Sequence, residues 1–420
     1  MSDSRPTVAV IGAGAAGLMA ARFSTLHGAR VVLIEGSRDG GKKILISGGG
    51  RCNVLPSREQ AGRFVTDSSP NLLKRFLRSW PLREQRSYFE RDLRIPLALE
   101  RETGKLFPSS NRAREVRDGL VNAAKGAGVE TWFGTRVRSI GREGRQWSVL
   151  LDGAEPLLAD RVVVATGGLS VPATGSDGAG LRWAESFGHT IHATYPALTP
   201  LMATPAVHAD LAGISLDVTI HSPGSRPRFR TSGGFLFTHR GYSGPTVLDV
   251  SHIAVRSAMT GGERAEVRVC WSELDQGEWE KMLAGGAGTV GGAIGKRLPT
   301  RLAQVLAAEA GAAWDTPLAQ LKRGERQALV RRLTDYPLPW TGDEGYKKAE
   351  VTGGGIALNE VDPVTLESRR APGLHLCGEV LDAFGPIGGH NFAWAWATGR
   401  AAGEAAGRSA SGVAVRRGRA

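Results

Sequence analysis

Cysteine is scarce. Only Cys52, Cys270 and Cys377 occur in 420 residues, and their wide spacing leaves no C-x-x-C pair for zinc or thiol exchange and no framework for a disulfide-stabilised fold. No metal ligand set is read from the sequence, and a reducing, cytoplasmic compartment is expected. Long apolar runs are missing too. The longest near the N-terminus, Thr7 to Ala21, is broken by Gly12, Gly14 and Gly17 and lacks a basic n-region, so neither a signal peptide nor a membrane span is expected. No internal repeat is evident. What is present is 41% apolar content, enough for a large core divided between two or three structural units.

Acidic residues are thin in two places. Residues 51–117 carry 15 lysines and arginines against 8 acids, residues 400–420 carry 5 against 1, and the rest is near balance at 33 against 32. Such segments suit a polyanion such as ribosomal RNA, because each phosphate neutralised releases counterions. Composition alone favours the plainer reading, the solvated faces of an arginine-rich protein.

Hydrophobic periodicity predicts a strand over Thr7–Ile11, a helix over Ala15–Gly28 and a second strand over Arg30–Glu35, a βαβ opening. Gly36–Asn53 reads as a long loop, Pro70–Trp80 as an amphipathic helix, and the region near Ala113–Lys125 as another. Four strands are expected at 129–133, 136–141, 147–151 and 161–166. Short Pro- and Gly-punctuated runs from 191 to 271 suggest a β-rich unit, and helical spacing from 278 to 336 a helical one. Strands at 348–358 and 374–377 and a helix near Asn391–Ala406 bring the chain back to its first domain. The tail after Gly407 is expected to be disordered.

Gly12-Ala-Gly-Ala-Ala-Gly17 is a G-x-G-x-x-G turn joining a predicted strand to a predicted helix. Gly12 permits the tight turn, Gly14 lets the backbone approach a pyrophosphate, and Gly17 lets the helix pack on the strand. Glu35 closes the second strand 18 residues after Gly17, where a carboxylate accepts hydrogen bonds from an adenosine ribose. A nicotinamide dehydrogenase would satisfy all of this. FAD is suggested by later segments. The strand Val162-Val-Val-Ala-Thr-Gly-Gly168 ends in small residues that admit a close neighbour. Leu374–Asp382 carries the carboxylates Glu379 and Asp382, suited to ribityl hydroxyls. Gly388-Gly-His-Asn391 opens a helix whose N-terminus would favour an anionic flavin edge. Lys42, Lys43 and Arg51, set among glycines, are assigned to the pyrophosphate or the flavin edge.

On Gly41-Lys-Lys-Ile-Leu-Ile-Ser-Gly-Gly-Gly-Arg-Cys-Asn53, Lys105-Leu-Phe-Pro108, Ala165-Thr-Gly-Gly168, Leu236-Phe-Thr-His-Arg-Gly-Tyr-Ser-Gly-Pro245, Ala349-Glu-Val-Thr-Gly-Gly-Gly355 and Gly378-Glu-Val-Leu-Asp382, the chain resembles the BaiN/RdsA family of FAD-dependent oxidoreductases (YhiN-like flavoproteins), within the glutathione-reductase-like flavoproteins. The resemblance runs nearly end to end. It implies an α/β fold: a Rossmann-like FAD-binding domain of glutathione-reductase type, 1–190 with 346–420, interrupted by a β-barrel-like domain, 191–275, and a small helical domain, 276–345. Expected cofactor contacts are Gly12, Gly14, Ala15, Ala16, Gly17 and Glu35; Lys42, Lys43, Arg51, Cys52 and Asn53; Val137; Ala165, Thr166, Gly167 and Gly168; Gly378, Glu379 and Asp382; and Gly388, Gly389, His390, Asn391 and Phe392. Two departures stand out. His390 and Ala393 replace the family's Tyr and Gln, and Lys105 replaces an Arg, which keeps the charge but not the fork geometry.

For a proton donor the sequence offers Cys52, His390 and Tyr242, with His239 as a further rival. Each has a plainer reading, Cys52 as a small packed side chain and the others as hydrogen-bonding spacers in Gly-rich turns. Gly286-Ala-Gly-Thr-Val-Gly291 repeats the G-x-G-x-x-G pattern but follows a helix-like run rather than a strand, so it is read as an interhelical connection.

The expected chemistry is reduction of FAD by NAD(P)H and hydride transfer to an activated C=C bond. The resemblance implies three substrate classes, uridine in large-subunit ribosomal RNA, steroid-like enones and amines. Charge favours RNA, with Trp80 and Phe107 as aromatics expected to stack on a base. A small-molecule reductase or oxidase and a non-catalytic flavin-carrying RNA-binding factor are the alternatives.

Overall fold

Runs of β-branched residues buried on both faces pair as parallel strands, because each polar backbone group then finds a partner away from water. The computed structural model describes residues 5–225 and 228–412. They form two compact units, one from the chain up to Tyr195 and from Val351 onward, the other from Pro196 to Glu350.

In the first unit the elements that matter for function are β1 (Thr7–Ile11), α1 (Ala15–Ser24), β2 (Arg30–Glu35), α2 (Lys42–Ile46), α3 (Pro70–Leu77), α4 (Leu82–Ser87), β3 (Glu130–Phe133), β4 (Arg161–Val164), β5 (Ile191–Ala197), β6 (Val351–Ile356), β7 (Leu374–Leu376) and α5 (His390–Ala410). The central sheet runs β7-β4-β1-β2-β3 with every pair parallel. Val10 stands opposite Val163 and Leu33. The return of the chain is thus built into the sheet, β7 pairing with β4.

Helices α1 and α5 are packed with their backbones in contact. A Cβ on Gly399, Gly403 or Gly407 would lie 2.3, 2.2 or 2.3 Å from the carbonyl oxygens of Ala16, Ala20 and Ser24. Spacing of four puts the three glycines on one stripe, and Ser24 Oγ donates to Gly403 O at 3.1 Å across the seam.

Several expectations are refined. Gly36–Asn53 is not a plain loop, since it contains α2 and a 3-10 turn over Ser47–Gly50. Of the four strands expected between 129 and 166, only β3 and β4 join the parallel sheet. Gln146–Leu151 pairs antiparallel with Val137–Glu143 on one side and Leu157–Ala159 on the other, in a sheet of their own. The final helix continues through Ala410, past the expected disorder boundary at Gly407, and residues 413–420 lie outside the described residues.

The inserted unit holds a seven-stranded antiparallel sheet, from Tyr336–Pro337 at one edge to Gly342–Asp343 at the other. Helices Gln276–Ala284, Thr300–Glu309 and Arg323–Thr334 follow most of its strands in sequence. The boundary expected between a β-rich domain, 191–275, and a helical domain, 276–345, is not a division between cores. Strands Tyr336–Pro337 and Gly342–Asp343, after the helices, pair with Arg268–Cys270 and Leu201–Met202. Phe235, Phe237 and Trp271 share one buried cluster with Trp279, Leu302 and Leu329. Gly286–Gly291 connects two helices of this unit, and Gly291 packs on the Trp314 ring.

Candidate cofactor and active site

The site begins at the C-terminal end of β1. Gly12 has φ +98°, and a Cβ there would lie 2.5 Å from Ala165 O; on Gly17 it would lie 1.7 Å from Gly12 O. Both positions therefore admit only glycine. Gly14 differs, because a Cβ on it would meet nothing within 4 Å. It is the N-cap of α1, with no side-chain cap and no acidic residue in the first turn. The first-turn N–H groups, including those of Ala15, Ala16 and Gly17, have no acceptor within the helix and sit at the positive end of its dipole. Space beside Gly14 and unsatisfied donors facing it are what a pyrophosphate requires.

At the end of β2, Glu35 Oε2 accepts from Ala13 N at 2.8 Å, and Oε1 accepts from Ser37 N and Oγ at 2.8 Å each. The carboxylate is held in place with lone pairs left for a ribose diol. Thr135 N donates to Glu35 O at 3.0 Å, so Val137, the first residue of its strand, lies just beyond this corner. The end of β4 is equally crowded. Gly168 faces Thr352 and Glu379, whose Oγ1 and Oε1 would lie 2.3 and 3.0 Å from an added Cβ. The small run Ala165–Gly168 admits neighbouring protein segments on these sides.

A polar network joins α2 to the segment after β7. Lys43 Nζ donates to Glu379 Oε2 and Ser170 Oγ, both at 2.7 Å. Glu379 Oε1 accepts from Ser170 Oγ, from Thr352 N at 3.0 Å and from Thr352 Oγ1 at 2.9 Å. Ser170 belongs to no motif, and Thr352 stands in the Ala349–Gly355 run with no role assigned to it from sequence. Asp382 is almost fully buried, and its Oδ2 accepts from Thr66 Oγ1, Asp67 N, Ser68 N and Ser68 Oγ at 2.8–2.9 Å. Its carboxylate thus clamps a loop, and burial raises its pKa. Arg51, expected at a phosphate, lies with its guanidinium 4.0 Å from the Phe107 ring centre and 3.1 Å from Glu100. Lys42 is half-buried on α2.

The last turn is assembled by amides. Asn391 brackets Gly385, accepting from its N at 2.8 Å and donating to its O at 3.0 Å. Asn53 accepts from Gly389 N at 3.0 Å and donates to Leu55 O at 3.2 Å. Gly388 and Gly389 have φ of +118° and +89°, Lys105 flanks Gly388, and Phe392 stacks on Trp396 with centroids 5.2 Å apart. Gly378 has φ +79° and abuts Ala16, tying this segment to the head of α1.

The expected acids fare differently. Cys52 has no exposed surface, and burial pushes its thiol up to about 12, so it stays a neutral, enclosed group. Tyr242 belongs to the inserted unit, is fully buried, and shares its hydroxyl with His208 Nδ1 at 2.8 Å. Burial raises its pKa, and a coreward phenol of this kind is a packing element. His239 is exposed in the same unit. His390 heads α5, is 3% exposed, and is pulled down to about 4 by burial and by the charge of Arg63. It is neutral at physiological pH. A residue not singled out by sequence, His192, is part-exposed with its Nε2 3.7 Å from Asp382 Oδ2. Its neighbourhood is set by the three glycines of β6. A Cβ on Gly353 would meet the Tyr195 ring at 2.3 Å, on Gly354 it would meet Ala193 O at 2.3 Å, and on Gly355 it would meet Val380 O at 2.8 Å. Trp80 and Phe107 are each 4% exposed, which withdraws both as stacking platforms for a base.

A parallel sheet with a glycine turn at its first strand, a carboxylate at the end of its second and a returning C-terminal helix defines a dinucleotide-binding flavoprotein of the Rossmann type. The chain matches the HI0933-like protein Rossmann domain over residues 6–405. It belongs to that family and is an FAD-dependent oxidoreductase. It is 33% identical over 394 residues to the ribosomal RNA dihydrouridine synthase of Escherichia coli K12, covering 93% of this chain and 95% of that one. It is 31% identical over 413 residues to the 3-dehydro-bile acid delta(4,6)-reductase of Clostridium scindens, covering 95% and 98%. Among solved structures, the 3-ketosteroid delta1-dehydrogenase of Sterolibacterium denitrificans shares the fold at TM-score 0.51 and 15% identity, covering 96% of this chain and 100% of that one. A flavocytochrome c3 fumarate reductase shares it at TM-score 0.50 and 18% identity, covering 97% and 79%.

Proposed function

We propose that this protein reduces a uridine of large-subunit ribosomal RNA to dihydrouridine, with NAD(P)H as the electron donor. Bound FAD supplies a carrier that takes two electrons from the nicotinamide and delivers them to carbon as hydride. The net reaction places one hydride and one proton across the uracil C5–C6 bond and yields NAD(P)⁺. In this reading the head of α1 binds the pyrophosphate, Glu35 the adenosine ribose, and Glu379, oriented by Lys43, Ser170 and Thr352, a ribityl hydroxyl. His192 delivers the proton. It is the imidazole in this unit that combines solvent access with a carboxylate partner, whereas Cys52 and His390 are enclosed.

The observation that carries the choice of RNA is charge. The excess of 15 cations over 8 acids in residues 51–117 falls in the unit that holds the dinucleotide turn, and a small neutral substrate needs no such excess. A second reading, reduction of a C=C bond in a steroid-like enone, is favoured by the near-equal identity to the bile acid reductase, 31%. Nucleoside mass spectrometry of ribosomal RNA from cells lacking the gene, with and without its restoration, separates the two. Loss and recovery of one dihydrouridine is expected; dihydrouridine unchanged by deletion, together with NAD(P)H oxidation driven by an enone, would establish the second reading instead.

A further inference from the structure

The cations of residues 70–94 are concentrated in a short stretch and largely unpaired. Seven lysines and arginines face three acids in this stretch, and all seven are exposed. Some exposed arginines of the same unit have carboxylate partners, as in Arg136–Asp177 at 2.8 Å and Arg138–Asp152 at 2.9 Å. Here Arg86 pairs with Glu90 at 2.9 Å and Arg83 with Glu84 at 3.8 Å. Lys74, Arg75, Arg78, Arg91 and Arg94 have no carboxylate partner among the described residues. Lys74 and Arg78, four apart at the end of α3, are a like-charge pair that opposes the helix unless a counter-charge arrives.

This basic face is rigidly attached to the site. Thr66 to Ser68 are clamped by Asp382, and α3 starts two residues later, with Pro70 in its first turn. Its inward side, Leu73, Phe76 and Leu77, is buried. The Phe76 ring lies 5.8 Å from Trp394, whose Nε1 donates to Gly378 O at 3.0 Å. The two basic segments of the sequence also meet, the Arg400 guanidinium lying 5.0 Å from the Trp80 ring centre.

We propose that the outward face of residues 70–94 docks the phosphate backbone of the substrate RNA and sets its position relative to the Gly378–Asp382 segment. The proposal rests on the RNA reading of the reaction. A membrane surface is the poorer partner, because helices that bind lipid turn an apolar face outward. The apolar side of α3 points inward, and none of the exposed large hydrophobic side chains falls within 70–94.

The test measures binding of the purified flavoprotein to a large-subunit ribosomal RNA fragment across a salt series. A variant carrying K74Q, R75Q and R78Q should bind about tenfold to a hundredfold more weakly at 0.1 M salt, with a log–log salt slope smaller by about 2–3. Its bound FAD and its rate of flavin reduction by NAD(P)H should match the parent. A control carrying K281Q, R323Q and R331Q, which removes three exposed cations from the inserted unit, should bind within about twofold of the parent. Equal weakening in both variants, or in neither, while the parent still forms dihydrouridine, would overturn the docking face and leave the reaction standing. A parent that neither binds the fragment nor modifies it would overturn both, as would selective binding to anionic phospholipid vesicles.

Discussion

Lys43 and Glu379 lie 336 residues apart in sequence and 2.7 Å apart in space. The contact joins α2 to the segment after β7, with Ser170 and Thr352 completing it. The lysine and glutamate side chains are 27% and 16% exposed, so screening is partial and neither charge is cheap to strand. Lys43→Met should lower stability by about 1–2 kcal/mol and weaken FAD retention, because Glu379 is left poorly paired. Adding Glu379→Gln to it should cost less than the sum of the two single changes. Denaturation and FAD titration of the four-member cycle measure this; strict additivity would mean that the pair has no coupling.

Gly14 and Gly17 of the first turn, with Gly399 of α5, should separate fold from ligand. Gly17→Ala or Gly399→Ala drives a Cβ into backbone, against Gly12 O and Ala16 O respectively, and each should destabilise the unit by about 2–3 kcal/mol. Gly14→Ala has room and ordinary backbone angles, φ −77°. The flavin-free protein should melt unchanged while FAD affinity falls at least tenfold. Thermal melts with and without FAD decide it, and full FAD affinity in Gly14→Ala would remove the pyrophosphate from that position.

His390 carries a pH prediction. Its folded pKa is about 4, below the ordinary value near 6.5, so the unfolded chain binds more protons between those values. Stability is complete above about pH 6.5 and declines as pH falls toward 4, by up to about 3 kcal/mol from this residue. A His390→Gln variant should show a shallower decline over that window in urea melts taken from pH 7 to 4.5. An identical slope would place the imidazole in a less buried state than described.

His192 can be tested by splitting the reaction. In His192→Gln, flavin reduction by NAD(P)H should proceed at the parent rate, while reoxidation by substrate slows by about a hundredfold or more, the usual worth of a general acid. Stopped-flow traces of both halves provide the readout. Parent-like reoxidation would return the search to Lys105, beside Gly388.

Local features were legible because they depend on neighbours in sequence. The strands of β1 and β2, the turn at Gly12–Gly17 and the amphipathic α3 each carry their own periodicity or glycine pattern, and all appear within a few residues of expectation. Residues whose role arises from partners far along the chain were not. Ser170 has no motif, the Ala349–Gly355 motif says nothing of which partner Thr352 meets, and nothing near His192 in sequence announces Asp382. Cys52 and Tyr242 mislead in the opposite way, since residue type suggests reactivity while burial, a property of the whole fold, removes it.

By itself, then, the sequence determined the glycine turn of the first βαβ unit and the return of a C-terminal segment to meet it, for backbone geometry at Gly12, Gly14 and Gly17 is a local matter. Tertiary structure alone decided which charges are free and which are spent. Lys43, Arg51 and Asp382 all read as cofactor ligands in one dimension. Packing turns the first into a partner for Glu379, lays the second over Phe107 and makes the third a clamp on Thr66–Ser68, because a charge taken from water holds to the nearest group that can replace its solvation.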